Sequence, residues 1–418
     1  YDFYVEGNLV GKTNNRVGPG LVMGFTKRNA FRGGELLDIN LKGSYEWQTS
    51  QQGERSKSKF NSYEYGVDAS LMFPRMVIPF VDFFRDRWSL YYRRNLCYAV
   101  PTTTLKMSSD IISRANYFKR HIVSGEWTYS LQTSATSRHL FSPLVFSYEY
   151  MRSSTAAFDS VLQVNPYLYY TMQDQFVPKM QYTYTYTSPT NLLNPIRWQT
   201  TISEAGNLLS LGYMAAGKKW GDLGKEMFNN PYAQFVKVET DLVKTWRLTE
   251  HSTLVGHAAL GAIWAYGNSS KAPYGEQFYV GGANSVRAFT VRSIGPGHYH
   301  NDASANIYYL DQTGDLMFQA NLEYRPRLFG NLYGALFLDA GNVWVMHSDD
   351  RIGVKFEPKN ALRDMALGTG VGLRYDMDFL VIRLDWGVGL HVPYNTGFYN
   401  VDSFKNSQSL HFAVGYPF

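Results

Sequence analysis

One cysteine, Cys97, stands among 418 residues. That excludes a disulfide framework within the chain and any metal site built on a cysteine pair, and no metal or cofactor is expected. Long apolar runs are also missing. The best candidate, from Met76 to Phe84, is interrupted by Pro79 and Asp82, so nothing approaches the ~18 consecutive apolar residues of a membrane-spanning helix. Charge is scarce: Asp, Glu, Lys and Arg make up 18% of the chain, against about 25% in soluble domains. The 40 basic and 35 acidic residues leave a net charge of +5, too little for a strongly basic nucleic-acid binder, and no nucleic acid is expected as a partner. The first residues lack the layout of a signal peptide, so the chain is expected to begin inside a longer precursor. What is plentiful is aromatic, with 32 Tyr, 26 Phe and 9 Trp. Something apolar must face those rings.

Apolar residues on every second position reconcile many rings with a negative mean hydropathy, and they form strands. From Gln181 to Thr187 the chain reads Gln-Tyr-Thr-Tyr-Thr-Tyr-Thr, strict period two. Phe318, Ala320, Leu322 and Tyr324 alternate with Gln319, Asn321, Glu323 and Arg325; Leu336 and Leu338 alternate with Phe337 and Asp339; Leu384 and Trp386 alternate with Arg383 and Asp385. Sixteen such runs are read at 2–10, 18–27, 35–48, 61–73, 102–112, 117–132, 138–152, 176–187, 196–206, 233–246, 252–266, 315–326, 331–344, 365–376, 379–391 and 410–418. Most reach the ~9–11 residues with which a tilted strand crosses a hydrocarbon core.

Connections at 133–137, 247–251, 327–330 and 377–378 are short, whereas those at 153–175, 207–232, 267–314, 345–364 and 392–409 are long. Short turns on one side, long loops on the other and an even strand count predict an all-β, 16-stranded antiparallel transmembrane β-barrel in a bacterial outer membrane. A soluble sandwich would expose one ring-rich face of nearly every strand to water and aggregate. Trp47, Phe73, Trp127, Trp246, Trp264, Tyr266 and Trp344 at strand ends suit two interfacial girdles. The segment 74–101 is long for its side. Its Arg85, Arg87, Arg93 and Arg94 with Trp88, Tyr91 and Tyr92 fit an interfacial element or a solvated turn. No linker or repeat divides the chain, so residues 1–418 are read as one domain.

Three features point to a family. The chain ends His411-Phe412-Ala413-Val414-Gly415-Tyr416-Pro417-Phe418, similar to the C-terminal assembly signal of outer-membrane barrels. The longest loop carries Val286-Arg287-Ala288-Phe289, which resembles the Val-Arg-Gly-Phe/Tyr motif in the sixth extracellular loop of the Omp85 superfamily. Gly334-x-x-Phe337-x-Asp339-x-Gly341 and Gly368-x-Gly370-x-Gly372-x-Arg374-Tyr375-Asp376 are similar to that superfamily's last strand motifs. The continuation Arg292-Ser293-Ile294-Gly295-Pro296-Gly297 looks closest to the TamA-like (TamL-type) branch of Bacteroidota within the BamA/TamA-like proteins. Ala288 stands where the family usually has Gly, and a methyl fits there if the backbone is extended. The resemblance implies a Gram-negative outer-membrane location and a role in membrane biogenesis. It implies as partners unfolded or nascent client proteins, the chain's own POTRA domains (expected upstream of this sequence), a TamB-like periplasmic protein, and outer-membrane lipids and glycolipid.

The loop motif also has a physical reading. A connection of this length is too long to be passive, and Phe278, Tyr279, Val280, Val286 and Phe289 would not stay in water. Folded into the lumen, the loop brings Arg287 beside Glu323 and Asp339, which parity places on the inward face. An arginine there needs a carboxylate partner, so Arg287 is expected to pair with Asp339, Glu323 or both.

The resemblance further implies that the barrel closes by pairing its first strand (2–10) with its last (410–418), and that this weak seam is a lateral gate. Gate candidates are Val5, Gly7 and Leu9 with Phe412, Val414, Gly415 and Phe418. Glycines weaken strand pairing and Pro417 lacks a donor. The function so read is insertion or export of client proteins; the alternative is a passive pore or a two-partner-secretion-like transporter using the lumen. No enzyme is expected: His257, His391 and His411 have no nucleophile motif, and His298-x-His300 with Asp302 reads as loop polarity.

Overall fold

The computed structural model describes residues 1–12, 16–48, 62–78, 98–114, 117–164, 172–189, 191–299, 312–347, 349, 351–401, 403–405 and 407–418. The alternating runs form β1 (Asp2–Lys12), β2 (Arg16–Arg28), β3 (Leu36–Gln48), β4 (Ser62–Phe73), β5 (Thr102–Arg114), β6 (Phe118–Gln132), β7 (Ser137–Ser154), β8 (Gln175–Thr187) and β9 (Ile196–Ala205). After a small hairpin, β10 (Glu226–Met227) and β11 (Asn230–Pro231), come β12 (Phe235–Thr249), β13 (Ser252–Ala265), β14 (Leu316–Phe329), β15 (Leu332–Trp344), β16 (Ala366–Asp376), β17 (Val381–His391) and β18 (Gln408–Val414). Among the described residues two α-helices, α1 (Ala156–Val164) and α2 (Asn207–Ala215), lie in long connections. Leaving out the small hairpin, sixteen strands form one sheet in chain order. Neighbours such as β1 and β2 or β14 and β15 are antiparallel, the pairing that short turns allow.

Two expectations are corrected. The last strand does not run over 410–418: β18 stops at Val414. Gly415 takes φ +86°, a left-handed backbone that glycine adopts without strain, and its N–H donates to the Val381 carbonyl at 2.7 Å. Gly415 and Phe418 therefore lie outside the strand. Nor is the sheet a closed ring: its order begins at β1 and ends at β18, and among the described residues each of these has one paired neighbour.

The chain forms two compact units, residues 1–182 with 203–234, and residues 183–202 with 235–418. In the first unit the inward residues are polar and partly exposed. Lys42 pairs with Asp68, Asn40 donates to Asp68 at 2.9 Å, and Ser108 bonds Ser124 at 2.8 Å. Outside the strands, the turn before β3 is clasped by a buried Glu35, which accepts from the Gly33 N–H and from Arg75, both at 2.8 Å. In the second unit the alternation is sharper. Leu322, Leu336, Leu338, Leu384 and Trp386 are exposed, and Glu323, Phe337, Asp339, Arg383 and Asp385 between them are buried. Trp246 and Trp264 are exposed, but Trp344 is buried, which corrects its assignment to a girdle. Its ring packs edge-on against Phe356 and its Nε1 donates to Asp364 at 3.2 Å, so a loop covers it. Cys97, the basic and aromatic residues of 85–94, His300 and Asp302, and the side chains of Leu9 and Trp47 lie outside the described residues.

Candidate functional site: the buried arginine anchor

Four adjacent strands set one wall of the second unit. Register places Asn321 opposite Asp339, Asp339 opposite Gly368, and Arg374 opposite Arg383. The polar residues share a face because side-chain period and strand register agree. Between them the glycines leave a trough in which the long loop lies. A Cβ at Gly341 would come within 2.8 Å of Val280, at Gly368 within 2.5 Å of the Ala288 methyl, and at Gly387 within 2.7 Å of the Arg287 carbonyl oxygen. Ala288 is not among the described residues with positive φ. Its methyl fits because Gly368 has no side chain.

Arg287 is fully buried. Its Nε donates to Asp339 Oδ2 and its Nη2 to Oδ1, both at 2.8 Å, forming a two-pronged pair, while its Nη1 donates to Glu323. Its backbone N–H adds a bond to Asp339 Oδ2 at 3.0 Å, and its guanidinium lies 3.6 Å from the centre of the Phe337 ring. One residue is thus held by side chain, backbone and ring face together. Val280 and Val286 are buried beside it and Phe278 covers Lys237 at 4.7 Å, but Tyr279 is exposed, which corrects its expected burial. Phe289 is half-buried.

The network extends past the predicted pair. Arg374 Nη2 donates to Glu323 at 3.3 Å and Nη1 pairs with Asp385 at 2.5 Å; Arg383 Nη1 lies 3.4 Å from Asp385; Arg325 Nε donates to Glu323 at 2.7 Å. Four arginines therefore share Glu323, Asp339 and Asp385. The cation in excess is met by loop dipoles, since Arg383 donates to the Ala283 carbonyl at 3.0 Å and to Asn284 Oδ1. Asn321 bridges Asp339 and the Ser285 carbonyl, both at 2.8 Å. Arg374, Arg383, Asp385 and Asn321 were missed as site residues, although Arg374 stands in a family-like motif and Arg383 and Asp385 share one parity.

The last strand and the tail after it reach the same network. His411 Nε2 bonds the Arg287 carbonyl at 2.8 Å, the Phe418 ring stacks 4.9 Å from His257, and Arg325 lies over Tyr416 at 4.5 Å. Of the gate candidates, Val5, Phe412 and Val414 are exposed on β1 and β18, and Gly7 lies on β1. His257 bonds Asp241 at 2.6 Å and Asn321 at 2.8 Å, and His391 bonds two backbone carbonyls. His298 bonds Asp364 at 3.1 Å. In the connection after β15, Asp349 is held down at about 2 by Arg351, whose Nη2 donates at 2.7 Å. Among the described residues no group of three His, Cys, Asp or Glu is placed to hold a metal.

Residues 20–418 match the Omp85 superfamily domain. Sorting and assembly machinery component 50 homolog A of Xenopus laevis is 26% identical over 176 residues, 41% of this chain and 35% of its own length. The chain thus spans about a third of that relative. The crystal structure of BamA from Haemophilus ducreyi lacking POTRA domains 1–3 is similar with TM-score 0.58 and 13% identity, covering 98% of this chain and 69% of that one. CdiB from Escherichia coli is similar with TM-score 0.51 and 12% identity, covering 98% and 62%. Both likenesses concern the fold.

Proposed function

As the chain belongs to the Omp85 superfamily, whose β-barrels are outer-membrane proteins, we propose that it inserts or exports client proteins in the outer membrane of a Gram-negative bacterium. The observation that carries this reading is the loop anchor, with Arg287 clamped by Asp339 and Glu323 inside a domain of that family. A loop held this way is a fixed part of its unit and not a passive connection, and its main chain also holds the last strand through His411. The relative's printed role in a sorting and assembly machinery agrees with it.

The mechanism proposed is a gate between β1 and β18. β18 pairs with β17 only from Gln408 to Val414, and then Gly415 turns the tail away. A last strand of seven residues can offer β1 only a few hydrogen bonds, so a seam made there would cost little to open. An opened edge in lipid strongly favours a strand that pairs with it, so a client strand can add by augmentation. The partners that follow are nascent clients, POTRA domains preceding the barrel and a TamB-like protein. The TamL-type assignment belongs to this proposal.

The test is a cysteine pair joining Val5 to Phe412, Ala413 or Val414 in a Cys97→Ser background, with client insertion measured before and after reductant. Crosslinking is expected to abolish insertion and reduction to restore it. Full activity in the crosslinked protein would overturn the gate and make the lumen the route.

A further inference from the structure

Helix α2 is built inside out. Ser210, on its inner side, is fully buried and bonds Tyr232 at 2.7 Å and Gln234 at 2.8 Å, both buried themselves. Its outer side carries Leu208, Leu211 and Met214, which are 64%, 54% and 45% exposed. Those positions lie at the i, i+3, i+6 spacing of one helical stripe. A soluble surface helix has the opposite arrangement. Further on, Leu223 is also exposed, and so is Phe228 at the tip of the β10–β11 hairpin.

Where this apolar set lies decides what covers it. β9 has ten residues, about the minimum that crosses a hydrocarbon core. It ends at Ala205 and α2 begins at Asn207 after a left-handed Gly206, so the helix starts at the rim of the sheet. Phe228 then folds down onto the outward face: its ring meets Phe176 edge-on at 5.5 Å and lies 6.1 Å from Tyr148. Tyr148 shares the parity of the exposed Leu144, and Phe176 that of the exposed Tyr182. Lys218 and Lys219, both exposed, follow the apolar stripe. An apolar stripe that starts at the rim of the sheet and is followed by cations has the composition of a helix lying in a bilayer interface.

We propose that segment 206–234 is a lipid-docking element. α2 rests on the leaflet at the long-loop side, with Leu208, Leu211 and Met214 among acyl chains, Phe228 at the boundary, and Lys218 and Lys219 toward lipid phosphates.

The test places an environment-sensitive fluorophore on a single cysteine, Leu211→Cys in Cys97→Ser, with the full chain in phosphatidylcholine–phosphatidylglycerol vesicles. Leu144→Cys serves as a lipid-facing reference and Ile352→Cys, 89% exposed on another long loop, as an aqueous one. Quenching at 211 by a nitroxide near the acyl-chain head is expected within about twofold of that at 144, with weak quenching by iodide. Adding Leu208→Glu and Met214→Glu should abolish the lipid quenching at 211 and leave it unchanged at 144. Iodide quenching at 211 like that at 352 would overturn the proposal. Shielding from both quenchers would overturn it too, by showing that a protein surface covers the stripe. Lipid quenching that survives the double glutamate variant would also overturn it, since the apolar stripe would then not be what docks.

Discussion

The two units carry the same alternation and end with opposite interiors. In the first, Lys42 and Asn40 both meet Asp68 on the inward face where solvent reaches them, and the Lys42 side chain is half exposed. In the second, Glu323, Asp339, Arg374, Arg383 and Asp385 face inward at comparable places and are buried completely. The difference is the loop. Residues 278–299 lie over the glycines of β15–β17 and exclude water, so charges that would be screened must be matched one by one. Parity sets which residues point inward, and the loop sets what an inward charge costs.

Removing one partner from the buried network tests this contrast most severely. Arg287→Ala leaves Asp339 and Glu323 without their main donor and is expected to cost about 3–5 kcal/mol, the range for one partner lost from a buried pair. Its readout is the urea midpoint at which the heat-modifiable folded band disappears. A loss no larger than that of a surface pair would break the comparison.

The trough should respond next. Gly368→Ala brings a methyl against the Ala288 methyl, and overpacking of this kind costs about 1–3 kcal/mol. Ala288→Gly on the same chain should restore most of the lost urea midpoint, because it removes the clashing atom. Failure of that rescue would mean that the loop does not seat on Gly368.

Glu35 sharpens the contrast from the other side, as a buried carboxylate in the open unit. Burial raises its pKa, but the backbone N–H groups of Glu35, Gly33 and Phe31 and the Arg75 side chain outweigh it and hold the group down at about 2, against an ordinary 4.5. A depressed carboxylate stabilises fully above its unfolded pKa and loses that contribution as pH falls through its folded one. The turn at 29–35 is therefore expected to loosen between pH 4.5 and about 2. Hydrogen exchange at the Phe31 and Gly33 amides measures this, with Glu35→Gln giving a flat profile in that window.

Lys42→Ala should have the smallest effect. Its pair with Asp68 is half exposed, and such pairs contribute within about 1 kcal/mol. A urea midpoint shift rivalling that of Arg287→Ala would erase the distinction between the units.

Much of this is legible in the sequence. Strict alternation located sixteen strands to within a few residues, and the parity of Glu323 and Asp339 put both carboxylates on the face where Arg287 meets them. The wider cluster was harder to see. Arg374 and Arg383 sit on parity positions indistinguishable from that of Lys42, and only the loop's path makes them part of the anchor. The tail misled for a local reason: alternation through Tyr416 and Phe418 reads as strand, while one left-handed glycine at 415 ends the pairing. Trp344 misled similarly, since its position at a strand end does not tell that a loop will fold over it.

By itself the sequence determined the strand count, the side of the sheet each residue faces and the loop motif, because period two and short turns are local properties of the backbone. The tertiary structure alone decided which inward charges are buried together, where the last strand stops and which helix turns its apolar side out. Those depend on where a distant segment comes to rest, and burial and pairing are properties of neighbours in space.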